Sequence, residues 1–130
     1  MTTADQLSEL IPSLFTGLVG EPFTEHELVF EPLVTDGRTS VEIHRLYTTA
    51  ETGEQGPAAA IVRYLPGGTA KPHLHPGYEL IYVISGELET DDGVYGPNSL
   101  LMMRPGSVHA PRSPHGCVGL AVWERPVQPA

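Results

Sequence analysis

The sequence predicts an all-β fold, a small barrel or double-sheet jelly roll preceded by a short helical and extended segment. Three observations carry this. Short apolar or alternating runs recur from residue 58 onward, separated by Gly, Pro and Asp, which is the cadence of strands joined by tight turns. The 14 Gly and 13 Pro make up about a fifth of the 130 residues, high for a helical protein and suited to many short strands. Asp91-Asp92-Gly93 between two such runs is a clear hairpin signal.

The elements follow in chain order. Leu7, Leu10, Ile11 and Leu14 lie at helical spacing, so a short helix is expected over 5–14, limited by Pro12. Residues 21–33, with Glu21-Pro22 and Glu31-Pro32, are expected as extended chain with short edge pairing. Over 40–47, Val41, Ile43 and Arg45 alternate with Glu42, His44 and Leu46, a strand pattern. Residues 49–57 form a polar loop with two glycines. Strands are then expected over 58–65, 69–75, 79–84, 86–90, 99–104, 107–110 and 117–124. The chain is expected to be a single domain, with 1–57 as an N-terminal segment packing on a barrel core over 57–124.

Composition narrows the function. A chain of 130 residues is near the modal domain size and can bury roughly 65–70% of its unfolded surface. The net charge of −9, with only seven Lys and Arg, argues against a phosphate-backbone partner and against an anionic membrane surface. No apolar run approaches the ~18–20 residues of a membrane span. The start, Met1-Thr2-Thr3-Ala4-Asp5, lacks a signal-peptide pattern, and a single cysteine fits a reducing compartment, so a cytoplasmic location is expected.

The chemistry is concentrated in Gly67-x5-His73-x-His75-x3-Glu79-x6-Gly86. Two neutral nitrogens and one anionic oxygen within seven positions are good ligands for a first-row metal. His73 and His75 leave the same face of an extended strand. Pro76-Gly77 is a turn signal, and a returning strand would set Glu79 across from the two histidines. His109, in Arg104-Pro105-Gly106-Ser107-Val108-His109, is a fourth candidate.

This signature resembles the cupin superfamily. Gly67, His73, His75, Glu79 and Gly86 meet its first motif, and Pro105, Gly106 and His109 meet its second. Asn98 stands where the family usually has Gly, and Ser113 where many members have Asn; neither is a ligand position. Arg63-Tyr64-Leu65-Pro66-Gly67-Gly68-Thr69 and the tail His109-x-Pro111-x-Ser113-x2-Gly116-Cys117 look more specifically like cupins similar to the C-terminal domain of ChrR-type anti-sigma factors. The resemblance covers residues 57–124. It implies a jelly-roll barrel holding one divalent transition metal ion on His73, His75, Glu79 and His109.

Three neutral imidazoles and one carboxylate around a divalent ion leave a formal charge of about +1. Zn²⁺ prefers four ligands, whereas Fe²⁺, Mn²⁺ or Ni²⁺ accept six and keep positions for substrate or dioxygen. The resemblance therefore implies a metal-dependent enzyme for a small molecule, foremost an iron dioxygenase of dicarbonyl, hydroxyketone or phenolic compounds. Glu79 is the candidate catalytic group beside its ligand role. A redox-neutral isomerase or polyketide-type cyclase is the alternative. A non-catalytic sensor like the ChrR cupin domain is a third, although the first 57 residues contain no Cys for a zinc-binding anti-sigma domain.

Arg63, Tyr64, Tyr82, Met103 and Trp123 are candidate pocket walls. His44 lies on a strand that could pass near the metal. His26 and His115 are expected at the surface and in a loop, and Cys117 as a small buried side chain. Strand 79–84 and Leu100-Leu101-Met102-Met103 are apolar on both faces, which suggests burial on both sides. A homodimer is expected, held by outer-face residues such as Leu80, Tyr82 and Leu101.

Overall fold

The computed structural model describes residues 28–34 and 37–130. The helix expected over 5–14, His26 and most of the extended segment expected over 21–33 lie outside them. The described chain forms β1 (Glu31–Pro32), β2 (Arg38–Tyr47), α1 (Thr49–Thr52), β3 (Ala58–Ala70), β4 (His73–Leu74), β5 (Glu79–Gly86), β6 (Leu88–Thr90), β7 (Gly93–Tyr95), β8 (Leu100–Met103), β9 (Val108–His109), β10 (Arg112–Ser113), β11 (Cys117–Trp123) and β12 (Gln128–Pro129). The fold is the expected all-β, double-sheet one. The larger sheet runs β7-β6-β10-β3-β11-β5-β8, with β2 along β3 and β1 along β2. The smaller is β12-β4-β9.

Several boundaries differ from the sequence pattern for identifiable reasons. β3 joins two expected strands into one of 13 residues, because its first part pairs with β2 and β11 and its end with β10. Pro72 then has no N–H to donate to a ladder. Of the expected 69–75 strand, Thr69 and Ala70 end β3, and His73–Leu74 form β4 in the smaller sheet. The expected loop after Tyr47 opens with a helical turn, because Thr48 and Glu51 form a capping box. The hairpin is as expected: Thr90 pairs with Gly93 and leaves Asp91-Asp92 as its loop.

The core is built on the larger sheet. Val41 and Ile43 on β2, Tyr64 on β3, Val83 on β5, Leu88 on β6 and Cys117 on β11 are buried together. Leu101, expected on the outer face, pairs with Ile81 and packs against this core. Its neighbours Leu100 and Met102 point the other way and are 65% and 47% exposed. Parity decides this: one residue along a strand changes the face.

Both departures from the cupin pattern have a local explanation. Asn98 has φ +68°, the left-handed region that Gly occupies freely and Asn tolerates better than most residues. Its side chain also accepts a hydrogen bond from the Tyr82 hydroxyl. Ser113 is fully buried and donates to the Glu87 carbonyl, so a small polar group suffices there. At Gly86, by contrast, φ is +74° and an added Cβ would strike the Gly116 carbonyl oxygen and lie 2.7 Å from the Cys117 Cα.

Candidate metal centre

Both sheets contribute to the site. His73 on β4 is the direct partner of His109 on β9. His75 follows β4, where its backbone N–H donates to Ser107 O at 2.9 Å and its carbonyl accepts from Gly106 N at 2.8 Å. The Pro76-Gly77 turn then carries the chain to the larger sheet, where Glu79 opens β5. That turn is anchored to the end of β11, since Tyr78 N donates to Glu124 Oε1 at 3.2 Å and Glu124 N to Tyr78 O at 2.9 Å. Glu79 therefore approaches the histidines from the opposite sheet and not as a hairpin partner.

The four side chains present one ligand atom each, all within 4.8 Å of one another. His75 Nε2 is 2.7 Å from Glu79 Oε1, His109 Nε2 is 3.8 Å from the same oxygen, and His109 Nε2 is 2.7 Å from His73 Nε2. Bonds of about 2.1 Å to a common ion put neighbouring ligand atoms roughly 3 Å apart, so these separations fit one ion. The far ring nitrogens support the same orientation. His73 Nδ1 lies 3.2 Å from Lys71 O, and His75 Nδ1 lies 3.0 Å from Ser107 O and 3.1 Å from Ser107 Oγ. A ring that donates from Nδ1 to a carbonyl keeps a bare lone pair on Nε2.

Electrostatics agrees with a cation site. Burial, together with the charges of His73, His75 and Arg38, depresses the His109 pKa to about 3, so the ring is neutral as a ligand must be. Burial raises the Glu79 carboxyl, while the His75 hydrogen bond and charge oppose this. For His75 burial acts downward, but the Glu79 hydrogen bond and charge outweigh it and the pKa is raised. A buried carboxylate costs free energy unless a proton or cation neutralises it, and a divalent ion can take the place of the shared proton.

The open side of the cluster faces a narrow cavity of about 40 Å³, room for roughly three waters. Its walls are chiefly apolar, including Val62, Ile81, Val83 and Ala121. Of the expected wall residues, Tyr64 and Trp123 line it. Arg63, Tyr82 and Met103 do not: Arg63 pairs with Glu42 at 2.8 Å and lies over the Phe30 ring, Tyr82 bonds Asn98, and Met103 lies under a separate outer groove. Cys117 lines the cavity, and burial raises its thiol pKa, which disfavours a nucleophilic thiolate. His44 is outside the cluster, with Nδ1 3.1 Å from Val29 O, and His115 is an exposed loop residue.

Arg38 was not legible as a site residue. It lines the cavity, and its charge is felt at Tyr64, Glu79 and His109. It lies 35 positions from His73, and only the pairing of Arg38 with Ala70 brings it there.

An antiparallel double-sheet barrel with a three-histidine, one-glutamate cluster at its interior defines the cupin class. The chain belongs to the ChrR Cupin-like domain family, whose model matches residues 24–128. No curated protein matches the sequence. Solved structures that share the fold include the following three. An acetylacetone dioxygenase from Acinetobacter johnsonii has a TM-score of 0.67 at 17% identity, over 82% of this chain and 79% of its own. The polyketide cyclase RemF from Streptomyces resistomycificus has a TM-score of 0.66 at 21% identity, over 85% and 84%. The complex of Rhodobacter sphaeroides SigE with the anti-sigma ChrR has a TM-score of 0.64 at 17% identity, over 95% and 67%.

Proposed function

We propose that the protein is a metal-dependent enzyme acting on a small oxygenated molecule, with dioxygenation of a dicarbonyl or phenolic compound as the reaction. The supporting observation is the convergence of His73, His75, Glu79 and His109 beside a small, mainly apolar cavity. These four would hold one divalent ion, with iron favoured for this chemistry and Zn, Mn or Ni compatible with the same donors. Once bound, such an ion supplies Lewis acidity and, if redox-active, an electron for dioxygen.

The chain's own residues supply the rest. The imidazoles hold neutral lone pairs in place, and Glu79 lowers the net charge of the centre. Glu79 is also the candidate proton acceptor, a role it can fill only when its carboxylate is free of the metal. The apolar walls limit water. Cleavage in which both oxygen atoms enter the products needs no outside reductant. The test is oxygen consumption by the iron-loaded protein across dicarbonyl and phenolic compounds. Turnover by the zinc form without oxygen, and none by the iron form with it, would overturn the oxidative reaction.

Two other readings have specific support. Likeness to a polyketide cyclase favours redox-neutral isomerisation or cyclisation on the same centre. The family match favours a ChrR-like metal-binding sensor, for which a loaded protein without turnover is the expected result. No helix among the described residues is long and apolar enough to cross a membrane. The net charge of −9 and the single cysteine support a cytoplasmic protein without nucleic-acid or membrane partners. Exposed Leu80, Leu100 and Met102 on β5 and on β8, which ends the larger sheet, support a homodimer. The whole chain is taken as one domain.

A further inference from the structure

Trp123 carries the chain's only indole, and its Nε1 is buried with no hydrogen-bond partner among the described residues. Natural folds rarely leave a buried N–H without an acceptor. Sheet register explains its position. Trp123 is the direct partner of Glu79 across β11 and β5, so both side chains leave the same face and both line the inner cavity. The indole N–H favours the charged Glu79 carboxylate but stands short of full hydrogen-bond geometry, and Glu79 Oε1 lies 2.7 Å from His75 Nε2.

Leu33, Arg38 and Trp123 also border a wider outer pocket of about 210 Å³. These three residues border both spaces, so a ligand held at the cluster and extending toward the outer pocket lies against Arg38 and Trp123. With a divalent ion on three neutral imidazoles and one carboxylate, the centre carries about +1, and Arg38 adds a second positive charge in low-dielectric surroundings.

We propose that Trp123 is a positioning residue whose Nε1–H donates to the bound ligand, and that the site thereby takes small chelating oxyanions, such as a dicarbonyl enolate or a dicarboxylate. This rests on the metal-dependent reading above. One oxygen faces the cluster and another accepts from the indole, while Arg38 favours the negative charge. A neutral ketone of similar size lacks both the chelation and the charge.

Because the chain has one Trp, ¹⁵N-labelled, zinc-loaded protein gives a single indole N–H resonance for the test. Acetylacetonate or oxalate should move it downfield, and acetone should not. Trp123→Phe should weaken binding of the same anions about tenfold by calorimetry, the loss of one charge-assisted hydrogen bond, with zinc content unchanged. An indole resonance that shifts on zinc loading and stays there when the anions bind would assign the donor to Glu79 and overturn the proposal. Unchanged affinity in Trp123→Phe would do the same. Should that variant not fold, the wild-type resonance decides alone. If neither anion binds the loaded wild-type protein, the proposal is overturned, while the zinc content of that same protein decides the metal site separately.

Discussion

His73 and His109 are direct partners across the β4–β9 ladder, and their Nε2 atoms stand 2.7 Å apart. Two imidazole lone pairs this close repel unless a proton or a cation lies between them. Burial and nearby charge keep His109 neutral, so a cation relieves the pair more readily than a second proton does.

His75→Ala or His109→Ala should therefore lower metal affinity by more than about a hundredfold, beyond the 10- to 100-fold typical when only a supporting partner of a ligand is lost. Circular dichroism should remain that of a β protein. Full metal occupancy in both variants would count against the site.

Ser107→Ala removes one of two oxygens near His75 Nδ1 and leaves the backbone carbonyl at 3.0 Å. Metal affinity should fall less than about tenfold, because the remaining acceptor still fixes the tautomer. A loss as large as that of His75→Ala would show that the hydroxyl, not the carbonyl, orients the ring.

Glu79→Gln keeps the side-chain shape and removes its charge. Turnover should drop more than metal uptake, measured as rate per bound ion. Equal rates per bound ion in variant and wild type would remove Glu79 from the catalytic role.

Thermal stability of the metal-free protein should have a maximum in pH. His109 is depressed to about 3 from 6.5, so its contribution is lost as pH falls from 6.5 toward 3, where only the unfolded chain binds the proton. His75 and Glu79 are raised from 6.5 and 4.5, so theirs are present below those values and lost as pH rises through the higher folded ones. A divalent ion displaces those protons, and its stabilising effect should grow with pH. Melting curves with and without metal test this, and a metal-free Tm still climbing well above pH 7 would contradict it.

The dimer should appear in light scattering as a mass about twice the 14.0 kDa of one chain. Leu100→Glu and Met102→Glu alter exposed side chains and should shift the population to monomer with little cost in fold stability. A wild-type mass of one chain at micromolar concentration would rule out the dimer.

The sequence by itself determined the elements whose causes are local. Alternation, paired prolines and glycines, and the Asp91-Asp92 turn were enough for an all-β chain with strands near their observed places. The spacing of His73, His75 and Glu79, with His109 downstream, was enough to name the cluster, because residue type and short spacing carry that information. Thr48 and Glu51 also held a legible capping signal, although the surrounding loop composition obscured it.

Tertiary structure decided what depends on register and on which sheet a strand joins. It placed Glu79 opposite the histidines from a second sheet, and turned Leu101 inward while Leu100 and Met102 face out. It brought Arg38 and Trp123 to the wall of the cavity and sent Arg63 and Tyr82 elsewhere. These contacts join residues distant in the chain, and a strand pattern with period two cannot say which partner strand will lie beside it, or in which register.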